Sequence, residues 1–87
     1  MALDVKKAVE LAGGYLSELL QIPVSDLLLE EVERSGSSWK VTFSYPDRSP
    51  SLRTLVGGRI YKVVEVDAVS GEFVAVRIRA VAYDRSA

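Results

Sequence analysis

The sequence predicts an α+β fold in which one N-terminal helix packs on a four-stranded antiparallel meander sheet. Three observations lead there. One apolar stripe at helical spacing occupies the start of the chain. A faultless apolar–polar alternation runs through Trp39-Lys40-Val41-Thr42-Phe43-Ser44-Tyr45. Turn residues then separate the remaining extended runs, so that each strand has an antiparallel neighbour next to it in sequence.

The helix is expected over residues 4–21. Val5, Ala8, Val9, Ala12, Leu16, Leu19 and Leu20 recur at i, i+3, i+4 and i+7 and form a single stripe. Asp4 suits the N-cap, because its carboxylate can accept an orphan N–H of the first turn. Pro23 stops the helix by excluding the residue before it from the α region. Gly13 and Gly14 interrupt the helical run at about 1 kcal/mol each relative to Ala. They are read as a place where the sheet approaches closely.

Four strands follow, at about 27–34, 39–45, 60–67 and 72–82. The first, Leu27–Arg34, is assigned by its position before the turn cluster Ser35-Gly36-Ser37-Ser38 and the strong second strand. Pro46 closes that second strand. Residues 46–59 hold two prolines and two glycines and read as a long loop, with room for a short helical turn near Leu52–Leu55. Ala68-Val69-Ser70-Gly71 is the last turn; Asp67 bonds its backbone N–H groups and Gly71 takes a positive φ. On the fourth strand Val74, Val76, Ile78 and Ala80 fall on one face, and Phe73, Ala75, Arg77 and Arg79 on the other. The expected core is Leu16, Leu19, Leu20, Val41, Phe43, Val64, Val66, Val76 and Ile78.

Composition narrows the chemistry. The 87 residues fit one domain, 1–87, with ordinary globular shares of hydrophobic (48%) and charged (26%) residues. There is no cysteine, hence no disulfide, thiolate nucleophile or Cys-based metal site. There is no histidine, which removes the commonest general base and metal ligand. A non-enzymatic protein without cofactor or metal is therefore expected. No export signal or membrane-spanning run is seen, so a cytoplasmic location is expected. The net charge of −1 divides unevenly: residues 1–47 carry four basic and eight acidic side chains, residues 48–87 seven basic and four acidic. An acidic and a basic half favour oriented association.

The hairpin Leu27–Tyr45, with its aromatic alternating second arm, and the run Tyr61-Lys62-Val63-Val64-Glu65-Val66-Asp67-Ala68-Val69-Ser70-Gly71-Glu72 resemble the PepSY-like family of small α+β domains. The resemblance spans roughly residues 5–80. It rests on the alternating strand that ends in Val-Asp-Ala, then a small polar residue and Gly-Glu. A cystatin-like sheet wrapped on a helix shares the same grammar. The long 46–59 loop and the arginine-bearing last strand depart from the family pattern. The resemblance implies a non-catalytic domain that inhibits or modulates another protein.

Asp67, Ser70 and Glu72 offer too few oxygens for calcium, and Val56-Gly57-Gly58-Arg59 lacks the spacing of a phosphate loop. Glu30, Glu31 and Glu33 read as solvated strand residues. Trp39, Phe43 and Tyr45 read as core, with Tyr45, beside Pro46, the most accessible. The partner-binding candidates are Tyr45, Arg48, Leu52, Arg53, Leu55, Arg59, Arg77 and Arg79. The loop arginines would meet an acidic partner while Leu52 and Leu55 anchor it. Arg77 and Arg79 are expected to pair with Glu residues of a neighbouring strand. The function expected is thus a protein-interaction or regulatory module. The alternative is a small nucleic-acid-associated protein using these arginines, a class that usually carries a larger Lys/Arg excess.

Assembly has its own expectation. Strands in sequence order leave the first and fourth as edges, and open edges pair with other chains. The acidic run guards the first. The fourth is Val/Ala-rich and long, so it is expected to form a homodimer or to accept a strand from a partner.

Overall fold

The computed structural model describes residues 2–47 and 58–79. Helix α1 (Val5–Leu20) precedes a three-residue 3-10 turn (Val24–Asp26), then strands β1 (Leu28–Ser35), β2 (Ser38–Pro46), β3 (Arg59–Asp67) and β4 (Phe73–Ile78). The strands form one antiparallel sheet in the order β1-β2-β3-β4. The fold is therefore the expected α+β arrangement.

Helix α1 starts where Asp4 Oδ1 accepts the backbone N–H of Lys7 at 2.8 Å, the N-cap bond that satisfies an orphan donor. It ends at Gln21, whose φ of 59° turns the chain out of the helix before Pro23. Ala8, Ala12 and Leu16 are fully buried against Val41, Phe43, Val64 and Val66 of the central strands. The small alanines bring the helix close to the sheet. Gly13 is buried there: a Cβ at this position would stand 3.4 Å from Phe43 Cζ. Gly14 has open space beside it.

The β1–β2 hairpin closes with Ser35 opposite Ser38, leaving only Gly36 and Ser37 as the loop. Gly36 takes a φ of 59°, the conformation a two-residue hairpin demands of its first loop residue. The β3–β4 turn is built as its sequence requires. Asp67 Oδ1 accepts the N–H groups of Val69 (2.8 Å) and Ser70 (2.9 Å), and Gly71 sits at a φ of 78°. The N-terminal segment is sewn to this end of the sheet. Leu3 N–H donates to Ala68 O at 2.7 Å, and Trp39 Nε1 donates to Leu3 O at 3.3 Å.

Two bulges alter the pattern. The β1–β2 register slips between Leu29 and Glu31, leaving Glu30 as an extra residue on β1. The β3–β4 register slips as well: Glu65 faces Ala75 but Val66 faces Phe73, so Val74 is extra on β4. An extra residue reverses the in–out parity of everything beyond it. Phe73 consequently joins the helix side of the sheet. It meets Tyr15 edge-on at a ring-centroid distance of 5.7 Å, rather than sharing the face of Arg77 and Arg79.

Two further expectations are corrected. Leu19 is 59% exposed and Ile78 77% exposed, so neither belongs to the core. Leu19 lies off the Ala8, Ala12 and Leu16 stripe, on the side toward Phe73, and Ile78 stands opposite Lys62 near the end of β4. The described part of the fourth strand runs Phe73–Ile78, with Arg79 N–H adding one more ladder bond to Tyr61 O at 3.0 Å. Residues 80–82 lie outside the described residues, as does the short helical turn expected near Leu52–Leu55.

Candidate functional site

The sheet face away from α1 is polar and tied together by charge. Arg77 Nη1 donates to Glu65 Oε1 at 2.8 Å on the adjacent β3. Arg79 reaches further than a neighbouring strand: its Nη1 donates to Thr42 Oγ1 on β2 at 3.1 Å and is bonded to Glu31 on β1. The Arg79 side chain thus lies across β3 and β2 and reaches the first strand. Glu31, Thr42, Val63, Arg77 and Arg79 line a shallow groove of about 390 Å³ on this face.

Electrostatics here are self-contained. Hydrogen bonding from Ser38 holds the Glu65 carboxyl below its ordinary range, burial opposes that shift, and the Arg77 bond and charge and the Lys40 charge add to it. The Arg79 guanidinium is held protonated more firmly than usual by its bond to Glu31. At the far end, Ser44 Oγ donates to Glu30 Oε2 at 2.6 Å and accepts from Arg59 Nε at 2.9 Å.

The predicted site residues do not assemble into one patch among the described residues. Tyr45 is half-buried on β2, and its phenol is pushed above its ordinary pKa by burial and by the charge of Asp47. Arg59 is half-buried and bonded to Ser44. Arg77 and Arg79 are exposed, each on a carboxylate. Arg48, Leu52, Arg53 and Leu55 lie outside the described residues.

What the fold does assemble is the outer edge of β4. Because Arg79 N–H bonds Tyr61 O, Arg79, Arg77 and Ala75 direct their backbone groups to β3, and strict alternation directs those of Val76 and Ile78 outward. Among the described residues no strand pairs with this edge. Its side chains are apolar and accessible: Phe73 is 44% and Val74 49% exposed. On the helix side, Tyr15, Glu18, Leu19 and Phe73 surround a hollow of about 400 Å³. Tyr15 is fixed there by its hydroxyl, which donates to Gly71 O at 2.8 Å. Sequence reasoning missed this hollow because the strict alternation of β4 gives no sign of the bulge at Val74.

The opposite edge is different. On β1, Glu30, Glu31 and Glu33 are all exposed and Glu30 is bulged, which disrupts a regular ladder.

No group of three or more metal-ligating side chains is gathered among the described residues. No helix among them is long and apolar enough to cross a membrane. Comparison of the chain with known protein families, characterised proteins and solved structures finds no match.

Proposed function

We propose that this chain is a non-catalytic protein-interaction module that takes an extended segment onto the free edge of β4. The observation that supports the reading is that edge itself. The outward backbone groups of Val76 and Ile78 offer main-chain hydrogen bonds, and the hollow at Tyr15, Leu19 and Phe73 offers a seat for an apolar side chain. Strand addition combines these two elements, the first for affinity and the second for selectivity. A sequence without histidine or cysteine agrees with a binding role. So does the resemblance to PepSY-like domains, which implies an inhibitor or modulator of another protein. The alternative, nucleic-acid association through the arginines, is weakened by the carboxylates that Arg77 and Arg79 already hold.

The test is a displayed library of extended peptides, followed by amide hydrogen exchange on the bound protein. Binders should slow exchange at Val76 and Ile78 and leave Arg77, already bonded to β3, unchanged. Binders that leave both edge amides unaffected would overturn the reading. A steep loss of binding to single-stranded nucleic acid with added salt would favour the alternative.

A further inference from the structure

We infer that the strand received by β4 is β4 of a second copy, in a two-fold antiparallel dimer centred on Val76. This rests on the edge reading above and adds the partner and the register.

The sheet faces restrict the choices. In an antiparallel pair about an axis normal to the sheet, residues facing the helix side oppose residues facing the helix side. Outward backbone groups must also meet outward backbone groups. The registers that satisfy both and keep most of β4 paired are centred on Val76 or on Arg77. Centring on Arg77 sets two guanidiniums directly opposite each other, a destabilising like-charge pair. Centring on Val76 sets Arg77 opposite Ala75 and Ile78 opposite Val74, so no like charges face within the paired strand.

Shape selects the same register. Ile78, 77% exposed, is an apolar side chain without cover among the described residues. Val74 and Ile78 lie two residues either side of Val76. The two-fold therefore sets Ile78 of the second copy opposite Val74, beside the hollow of Tyr15, Leu19 and Phe73, and the reciprocal contact forms by symmetry. One strand carries both the projection and, through its bulge, the hollow that receives it. The acidic, bulged β1 edge has no such self-complementarity. The product is a continuous eight-stranded sheet with both helices on one face.

Sedimentation and cross-linking test this directly. The wild-type chain should be a dimer at high micromolar concentration. Ile78→Asp should weaken association by about tenfold or more with unchanged circular dichroism, since it places a carboxylate in an apolar contact at an exposed position. The chain has no cysteine, so single cysteines report the register cleanly. Val76→Cys should oxidise to a linked dimer, because hydrogen-bonded partners stand about 5.5 Å apart at Cα, within the roughly 4.4–6.8 Å a disulfide spans. Arg77→Cys should link far more slowly. A monomeric wild type, a folded Ile78→Asp dimer, or faster linkage at position 77 than at 76 would overturn the proposal. A monomer whose Val76 and Ile78 amides are still protected by a bound peptide would remove the second copy and keep the edge reading. A monomer with no such protection would remove both.

Discussion

Phe43→Ala tests the core most sharply. The ring is 4% exposed on the second strand of the sheet, with neighbours bonded on both sides. Its tip faces Gly13, which has no side chain to fill a gap. The paired strand and the helix backbone both resist collapse into the space left behind. The loss should therefore reach the usual range for a buried Phe, about 3–5 kcal/mol. At roughly 0.05–0.15 kcal/mol per residue, an 87-residue chain holds about 4–13 kcal/mol in total, so one ring accounts for about a quarter of it or more. Urea titration followed by tryptophan fluorescence measures the change, with the slope checked for constancy. Adding Gly13→Ala should return part of the loss, since the new Cβ points at the vacated ring position. A cost under about 1 kcal/mol for Phe43→Ala would mean that the alternating stripe faces water, and the packing of helix on sheet described above would be wrong.

Three smaller perturbations follow from single contacts. Gly14→Ala places a methyl in open space within a helix and should raise stability by about 0.8–1 kcal/mol; a lower melting temperature would contradict it. Asp4→Ala removes the acceptor of the Lys7 N–H and should cost about 0.5–2 kcal/mol, read as loss of helical circular dichroism on heating; no change would mean that water caps the helix as well. Acidity should act through Glu65, held low chiefly by Ser38, and Asp67, held low by the N–H groups of Ser70 and Val69. Depressed carboxyl pKa values stabilise the fold above their unfolded values, near pH 4, and that contribution disappears as pH falls through the folded values. Glu65→Gln with Asp67→Asn should flatten the acid limb of the urea midpoint against pH; an unchanged limb would place its origin elsewhere.

The parts of the fold that obey one period were legible in the residues. The helix was readable from Ala8, Ala12 and Leu16, its cap from Asp4, the central strand from Trp39 to Tyr45, and the last turn from Asp67 and Gly71. The bulges were not, because an extra residue changes pairing without changing composition. That moved Phe73 across the sheet and created the hollow beside Leu19. Ile78 shows a second limit: alternation says which face a residue takes, but not whether the helix reaches far enough to cover it. Of the partner-binding candidates, Arg77 was expected to pair with a neighbouring strand and does so through Glu65. Arg79 instead crosses to Glu31, a pairing across two strands that neighbour-by-neighbour reading of the sequence does not reach. The hollow depends on Tyr15 and Phe73, residues 58 positions apart in sequence, brought together only by the completed fold.

The covering of the sheet by the N-terminal helix has a consequence for synthesis. The helix leaves the ribosome before the strands that cover it, since Ala8, Ala12 and Leu16 find cover on Val41, Phe43, Val64 and Val66, and the Leu3 N–H finds its acceptor at Ala68. Until the third strand has emerged, the apolar stripe of the helix has at most half of its surface to rest on. The chain therefore cannot settle strand by strand as it grows, although each strand pairs only with its neighbours in sequence. Until the third strand emerges, the nascent segment carries an exposed amphipathic helix.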